Sequence, residues 1–587
     1  MPPQNRIHLS YIKTMNHSIT FPGAKALTSL AIALMLAACG GGGGSDDVAG
    51  GGNEPAPPAP PSGTTHTLTV QVQGLPEGAA LPIRYGDLSE SLSASNDRLA
   101  IQASGTTRIA LGKLELTTEQ PYLVQCAFAE PLAGTLQSDG SLQASFSTDA
   151  TQTVECSQKI ALVLQQRHVV APANKGSGLN VLTANLDGLQ AQWLSPPLMV
   201  NKNTINNRVS ALMNNELYVS ASEDDINSPT GVELRATDGV TARLVKDINT
   251  AVNAGVGAGS DPGSLVALGN KLYFSAEAGP GGTTLWVSDG TEAGTQQVLL
   301  QGNAFINPEG LTVAGDKLFF RSQAKVYAID KSGTVTDLGL TQTAGSFSVV
   351  GDRIFLTDDT GSQWFSDGTV AGTREFQAAW FNSAPIEFNG ELYFSGAATS
   401  GETAKLHAIK PDGTGFRLVK DVIRVSPRFV LGDKLLLTVN QRGVTGSEWW
   451  VSDGTEAGTQ IIKDAIPGPG GLAPEKIFSL GERLVFVTKE GEAGSQAPYY
   501  IWTTDGTAEG TKRLSAEGVE AFATKNIFKG WTQVGPGHAV FQIHEGGLNS
   551  NVAKLWITDG TPEGTKPLLD KNGQQLEAYS PGTQYAL

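Results

Sequence analysis

Short apolar runs separated by polar turns recur with a regular period through the larger, C-terminal part of the chain. Residues 284–295 (TLWVSDGTEAGT) show the pattern most completely, with an apolar run that ends at the dipeptide Asp289-Gly290. Similar segments surround Asp367, Asp453 with Gly454, Asp505 and Asp559. Degenerate copies of the repeat surround Asp238, Asp330 and Asp412. The eight copies are spaced about 46 residues apart, which is close to the length of a four-stranded propeller blade.

Each copy predicts a turn between two strands. Asp-Gly suits a tight turn because glycine adopts φ > 0 without strain, and an Asp carboxylate accepts hydrogen bonds from N–H groups one or two residues further on. We therefore interpret the repeated residues as structural turn residues. In the best copies these are Asp289, Gly290, Asp367, Asp453, Gly454, Asp505 and Asp559. The alternative interpretation is a repeated acidic ligand site.

A second phrase precedes most copies by about 15 residues. Examples are residues 269–275 (GNKLYFS), 315–320 (GDKLFF) and 389–395 (NGELYFS), each a polar turn followed by an apolar run. Two hairpins per period give four strands, and runs such as Leu-Tyr-Phe suit sheets that are covered on both faces. Residues 195–572 are therefore predicted to form an all-β, eight-bladed (alternatively seven-bladed) β-propeller.

These phrases resemble the repeats of the bacterial ELWxxDGT-repeat proteins. The resemblance covers roughly residues 195–570, with five specific copies and three that rest on spacing. It implies propeller-like blades and an exported location. Since the family has no settled activity, the resemblance supplies no catalytic residues.

The first 38 residues predict an export signal. They hold three basic residues and no acidic ones, and they end in the apolar run 26–38, which is too short for a retained membrane span. The sequence Leu-Ala-Ala-Cys at 36–39 resembles the bacterial lipobox, which implies cleavage before Cys39 and its acylation, palmitate included. Gly40 replaces the retention aspartate of proteobacterial lipoproteins, so the resemblance implies the outer membrane, facing the periplasm or the surface. The alternative is an ordinary signal peptide with an incidental cysteine.

The composition divides the remainder into further segments. Residues 39–65 are rich in Gly and Pro and predict a tether. Residues 66–165 contain apolar runs spaced by turn residues, which predict a small β-sandwich and resemble the immunoglobulin-like domains of bacterial exported proteins. Residues 166–194 are a linker in which 179–182 are a candidate ring-closing strand, and residues 573–587 form a tail without a clear pattern.

The cysteines indicate one disulfide. With Cys39 lipidated, Cys126 and Cys156 are the remaining pair, and an oxidising compartment favours a bond between them. A catalytic thiol is the alternative.

The chain is acidic, with a net charge of −16 and no basic run, so it lacks the electrostatic footprint for nucleic acid. Membrane attachment must then come from acyl chains. His538 and His544 have no third ligand at suitable spacing, so no metal is predicted, although residues 223–225 and 358–359 are candidate weak calcium sites. No nucleophile elbow, Walker loop or dinucleotide fingerprint stands in a fitting context. The sequence therefore predicts no catalytic residue and no cofactor.

We expect a non-catalytic, envelope-anchored binding or scaffolding protein that presents a propeller surface to an envelope protein or a glycan. Insertions at 221–231, 279–284, 441–448 and 489–500 mostly precede the repeat strand, and such insertions map to one face of a repeat array. The alternative is a propeller hydrolase acting on glycans, because the Ser-Asp-Gly-Thr turn resembles the Asp-box of sialidases. The arginine cluster that such an enzyme needs is not visible in the sequence.

Overall fold

The structure is a computed structural model that describes residues 65–103, 105–117, 122–166, 178–195, 197–200, 210–223, 228–253, 256–342, 347–441, 443–468, 471–472, 474–489, 499–514, 532–534, 537–543 and 552–579. These residues form strands, turns and bends without a helix among them, so the all-β prediction is confirmed. The described part of the chain accordingly contains no helix able to cross a membrane.

Two N-terminal sheets share one core. The first contains His66–Gln73, Arg98–Ala103, Leu123–Phe128 and the long strand Ala150–Gln166; the second contains Ala79–Tyr85, Leu88–Ser93, Gly105–Leu111, Glu115–Leu116, Gly134–Leu136 and Leu142–Phe146. Leu68, Val70 and Val72 alternate inward and lie in one buried cluster with Ile83 and Leu142 of the second sheet. Since successive side chains of a strand point to opposite faces, this alternation marks the inner face of the first sheet.

A disulfide joins neighbouring strands of the first sheet. Cys126 and Cys156 lie opposite each other where Leu123–Phe128 pairs antiparallel with Ala150–Gln166. The disulfide predicted from the sequence is therefore present, and it borders the shared core, because Cys156 is buried there.

Eight groups of four antiparallel strands, called blades 1 to 8, follow in the described part of the chain. Five of them are separate four-stranded sheets, blades 5 and 8 each belong to a five-stranded sheet, and the strands of blade 1 continue the first N-terminal sheet through Gly178–Asn185 and Met199–Val200. Blade 1 contains Ser210–Met213, Glu216–Ser222, Glu233–Thr237 and Ala242–Lys246; blade 2, Gly263–Leu268, Lys271–Ala276, Thr284–Ser288 and Gln296–Gln297; blade 3, Glu309–Ala314, Lys317–Ser322, Lys325–Asp330 and Val335–Thr341; blade 4, Ser348–Val350, Arg353–Thr357, Gln363–Ser366 and Arg374–Glu375. Blade 5 contains Ile386–Phe388, Glu391–Ala397, Lys405–Ile409 and Arg417–Lys420; blade 6, Val425–Leu431, Lys434–Gln441, Gly446–Ser452 and Gln460–Ile461; blade 7, Pro474–Ser479, Leu484–Lys489, Tyr499–Thr504 and Lys512–Arg513; blade 8, Thr532–Val534, His538–Ile543, Val552–Thr558 and Lys566–Pro567. Short flanking strands are Met199–Val200, Val252–Asn253, Val256–Gly257, Leu299–Leu300, Asn303–Ala304, Trp380–Phe381 and Glu577–Tyr579.

Two kinds of turn alternate within a blade. In blades 1 to 6 a two-residue turn with positive φ at its first residue joins the first and second strands, as at Gly269 (+61°) and Gly315 (+56°). Blades 1 and 5 place Asn214 and Asn389 there, and asparagine tolerates this conformation better than most residues. The Asp-Gly loops join the third and fourth strands, so two hairpins produce the four strands of each blade.

The first strands of blades 1 to 4, and those of blades 5 and 6, lie innermost. First strands of successive blades contact one another, as Ser210–Met213 does with Gly263–Leu268, and Gly263–Leu268 with Glu309–Ala314. Neighbouring blades also share buried clusters, one of which contains Tyr273 of blade 2 and Leu318 of blade 3. Four-stranded sheets packed face to face around inner strands form a β-propeller, and the predicted propeller is confirmed.

A three-stranded section of the first sheet lies between blade 8 and blade 1. It comprises the C-terminal half of Ala150–Gln166, Gly178–Asn185 and Gln192–Trp193. Ile160 lies in a buried cluster with Leu555 of blade 8, and Val181 lies in another with Leu217 of blade 1. Residues 179–182, the candidate ring-closing strand, belong to this sheet.

The propeller has two edges. We call "turn face" the edge that carries the two-residue turns and the Asp-Gly loops, and "connection face" the edge that carries the second-to-third strand connections and the links between blades. Insertions 221–231, 279–284, 441–448 and 489–500 fall at second-to-third strand connections. Of these, 224–227, 442 and 490–498 lie outside the described residues.

Candidate functional site at the Asp-Gly-Thr loops

The Asp-Gly-Thr loop of blade 2 is closed by a relay of hydrogen bonds. The Gly290 N–H donates to Ser288 Oγ (3.0 Å), which lies 2.7 Å from Thr295 Oγ1. Thr295 Oγ1 donates to the Thr291 carbonyl (2.6 Å), so the Ser288 hydroxyl donates within the hydroxyl pair. Asp289 Oδ1 caps the loop by accepting from Thr291 N–H (2.9 Å) and Oγ1 (2.7 Å).

The same relay recurs in four other blades. It surrounds Asp367, Asp453, Asp505 and Asp559, with Ser or Thr before the aspartate and Thr six residues after it. The expectation of a tight turn needs correction, because seven residues, 289–295, separate the third strand from the fourth. The reason is the hydroxyl pair, which closes the loop at its far end. Gly290 nevertheless has φ of +92°, as its place after the aspartate requires.

A second glycine in each loop is required by the aspartate. A Cβ on Gly294 would overlap the Asp289 carboxylate, and the same holds at Gly372, Gly458, Gly510 and Gly564 for their own aspartates. This role of the second glycine was not predicted from the sequence. The constant five-residue spacing from Asp to Gly was the signal that pointed to it.

The degenerate copies of the loop keep the hydrogen bonds that the aspartate accepts. Asp238 accepts from Val240 and Thr241, Asp330 from Ser332, Gly333 and Thr334, and Asp412 from Thr414. In a complete copy, the Thr291 hydroxyl and N–H hold the pKa of Asp289 below its usual value. Each carboxylate therefore binds the backbone of its own loop, on its own blade.

Basic side chains hydrogen-bond from one blade to the Asp-Gly-Thr loop of the next blade in several places. Arg243 of blade 1 donates to Glu216 through Nε (3.0 Å) and Nη2 (2.8 Å), and through Nη1 to the Gly290 carbonyl of blade 2 (2.9 Å). Tyr218 OH donates to Glu216 (3.2 Å). Blades 5 and 6 repeat this arrangement with Arg417, Glu391, Tyr393 and Gly454. We call it the inter-blade latch; it makes the turn face a packing surface between blades.

The N-terminal sheets are fastened to the turn face of blade 1. Asn215 accepts from the Val124 N–H (2.6 Å) and donates to the Val124 carbonyl (2.8 Å). Gln125 donates to the Asp238 carbonyl in the degenerate loop of blade 1 (2.8 Å). The degenerate loop of blade 1 thus hydrogen-bonds to the N-terminal sheets, whereas the complete loop of blade 2 hydrogen-bonds to the preceding blade.

A cleft of about 390 Å³ opens beside the first latch. Lys113 from the N-terminal sheets, Asn214, Glu216 and Arg243 from blade 1, and Asp289 from blade 2 line it. Lys113 Nζ lies 3.2 Å from Glu216 Oε2. Ligand sites favour such junctions between domains, and the cleft combines charged groups from three parts of the chain.

Two buried glutamates clamp the links between blades. Glu233 accepts hydrogen bonds from the N–H groups of Ile248, Asn249 and Ser260 and from the Ser260 hydroxyl. Burial raises its pKa to about 7. Glu448, at the same repeat position in blade 6, is equally buried, and burial raises its pKa to about 8. Sequence reasoning missed both, since their partners are distant backbone groups.

The remaining predicted residues are not brought together into one site. Cys39, His544 and residues 224–225 lie outside the described residues. Burial lowers the pKa of His538. Asp358 caps its own turn by accepting from Thr360 and Ser362, and Glu223 pairs with Arg235 (2.7 Å). Among the described residues no three metal-ligating side chains are grouped.

No protein-family model matches the chain, and no curated protein does. Among solved structures the chain is similar to TolB from Acinetobacter baumannii (13% identity, 54% of this chain and 65% of TolB covered, TM-score 0.25). It is also similar to the β-propeller domain of the Trilobed protease from Pyrococcus furiosus (13%, 53% and 99%, 0.31) and to a prolyl endopeptidase (10%, 55% and 50%, 0.34). The chain thus spans about half of the prolyl endopeptidase. Likenesses at this level assign neither a family nor an activity.

Proposed function

We propose that the chain is a non-catalytic, envelope-anchored lipoprotein whose propeller binds or scaffolds a protein or glycan partner through the connection face. The hydrogen bonding of the repeated aspartates carries this proposal. Each carboxylate is engaged by its own loop, and the latches bury loop carbonyls between blades. The repeated residues of the turn face thus serve the fold, whereas the residues that differ between blades lie on the connection face.

The connection face exposes apolar side chains, as the turn face also does at Val240 and Val370. Ile423, in the link from blade 5 to blade 6, and Val444, in the second-to-third strand connection of blade 6, are both exposed. The Asn440 N–H donates to the Arg424 carbonyl (3.2 Å), so these two segments lie side by side. Connections that differ between repeats and expose apolar groups suit recognition of a macromolecule.

For the architecture we infer an ELWxxDGT-type propeller of eight blades, closed by the three-stranded section of the first sheet and preceded by a small immunoglobulin-like sandwich. Hydrogen bonds between the closing sheet and blade 8 support this closure: the Ala191 N–H donates to the Leu569 carbonyl, and the Leu569 N–H donates to the Gly188 carbonyl (both 2.8 Å). On this inference the chain closes its ring with residues from both ends of the propeller region.

The binding proposal is tested by loop replacement in the full chain. Residues 442–445 and, separately, 490–498 are replaced by two glycines, and capture of partners from envelope extracts is compared with that by wild type. The matched control is Asp453→Asn on the turn face. We expect a loop variant to lose the captured partner at unchanged melting temperature, while Asp453→Asn keeps it. Capture lost in the control but kept in both loop variants would place the partner on the turn face.

Anchoring through Cys39 is tested independently. Cys39→Ser should move the protein from the membrane fraction to the soluble fraction, because acyl chains on that cysteine would provide the attachment. A variant that stays membrane-bound after normal signal processing would show that the attachment lies elsewhere.

A further inference from the structure

The cleft beside the first latch contains groups that the latch itself does not use. Glu216 is fully engaged, since its carboxylate accepts from Arg243, Tyr218 and Lys113. Lys113, in contrast, is 70% exposed and has one partner there, which leaves two of its three N–H groups for a ligand. The cap of Asp289 uses Oδ1, so Oδ2 remains as an acceptor at the other wall.

The second latch shows which of these residues are needed for packing. Arg417, Glu391 and Tyr393 hold the Gly454 loop with the same hydrogen bonds that Arg243, Glu216 and Tyr218 make. These residues are therefore explained by the contact between blades. Lys113 is the member of the first site that comes from outside the propeller. It closes one side of the cleft and joins the latch only through Glu216.

The charges of the cleft cancel. Lys113 and Arg243 offset Glu216 and Asp289, so the cleft does not favour a strongly charged ligand. What remains is a set of hydrogen-bonding groups of both kinds: donors on Lys113 and on the Asn214 amide, and acceptors on Asp289 and on the Asn214 amide. A hydroxyl group both donates and accepts, so several adjacent hydroxyls match this set.

We propose that this cleft binds a neutral oligosaccharide, with Lys113 and Asp289 hydrogen-bonding to its hydroxyl groups from opposite walls. The volume of about 390 Å³ lies in the range of small-molecule sites. The site gives the proposed binding protein a second, glycan-specific contact on the turn face. Saccharide binding here rests on the proposed function as a binding protein, but it depends on residues that the connection-face variants leave intact.

The test measures binding of neutral tetrasaccharides of glucose, galactose, mannose and N-acetylglucosamine to the full-length chain in detergent, by calorimetry and saturation-transfer NMR. Glucuronate and alanine are the counter-probes. Lys113→Met removes the charge and keeps the length of an exposed side chain. Asp289→Asn keeps the Oδ1 acceptor of the cap and converts the outward oxygen into a donor. Asp453→Asn makes the same change in a loop without a lysine from the N-terminal sheets.

We expect at least one tetrasaccharide to bind, with Lys113→Met and Asp289→Asn each weakening affinity by about tenfold or more and Asp453→Asn leaving it unchanged. Three results would overturn the inference: no binding by wild type at millimolar saccharide, equal binding by wild type and Lys113→Met, or preference for glucuronate or alanine. If saccharide binding fails while capture through the connection face persists, the cleft is refuted and the proposed function stands.

Discussion

The hydroxyl relay of the Asp-Gly-Thr loop predicts a measurable loss of stability when Thr459 is changed to Val in blade 6. Thr459 is fully buried, lies 2.7 Å from Ser452 Oγ and donates to the Thr455 carbonyl at 2.5 Å. Valine has nearly the same shape but neither donates nor accepts. The change therefore removes two hydrogen bonds and leaves the buried Ser452 hydroxyl without its acceptor.

The expected loss can be estimated from these contacts. At about 1 kcal/mol net for each hydrogen bond, with a further penalty for the unsatisfied Ser452 hydroxyl, Thr459→Val should lower the free energy of unfolding of blade 6 by about 2–3 kcal/mol. Thr459→Ser is the matched control, because it keeps the hydroxyl and removes one buried methyl group, worth about 1 kcal/mol. The double variant Ser452→Ala/Thr459→Val should lose less free energy of unfolding than the sum of the losses of the two single variants, since no hydroxyl is then left unpaired.

The assay is urea unfolding followed by the fluorescence of the buried Trp449 and Trp450, together with amide hydrogen exchange over residues 452–459. Thr459→Val should unfold at lower urea and exchange faster within the loop. The relay would be refuted as a source of stability if Thr459→Val and Thr459→Ser unfolded at the same urea concentration.

Three further predictions concern other parts of the fold. Gly458→Ala should destabilise the chain because the new Cβ overlaps the Asp453 carboxylate, and adding Asp453→Ala should recover part of the lost melting temperature; an additive loss would contradict this. Since burial raises the pKa of Glu448 to about 8, the folded state holds that proton more tightly than the unfolded state, whose value is about 4.3, so stability should fall as pH rises through this window. Glu448→Gln should flatten that part of the melting-temperature profile, and an unchanged slope would show that other groups cause it. Replacing Cys126 and Cys156 by Ser should lower the free energy of unfolding by about 3 kcal/mol, measured against the oxidised wild type; equal stability would contradict the role of the bond.

Local sequence predicted the strands and the turns because both depend on short-range chemistry. The Asp289-Gly290 dipeptide marked a turn, and phrases such as residues 269–275 marked the hairpin that completes the blade. The loop closure was not foreseen because Thr295 acts on Ser288 through folded geometry rather than adjacency. Its signal was present in the constant spacing of the repeat.

Long-range partners were beyond sequence reasoning for a different reason. Arg243 finds the Gly290 carbonyl of the next blade only when two blades are packed, and Lys113 meets Glu216 only when the N-terminal sheets dock. The buried Glu233 likewise depends on N–H groups of a link between blades. No pattern of neighbouring residues encodes such contacts, so the candidate cleft emerged from the folded structure alone.

The strand Ala150–Gln166 gives the molecule a distinctive mechanical property. Its first half pairs with His66–Gln73 and its second half with Gly178–Asn185, so one unbroken length of backbone belongs to both the N-terminal sheets and the propeller. A pulling force applied to the N-terminal sheets is therefore carried into the ring along a strand with paired neighbours, which loads its hydrogen bonds in shear. Shear requires many bonds to break together, whereas a plain linker would simply extend. The two parts should consequently move as a stiff unit under tension.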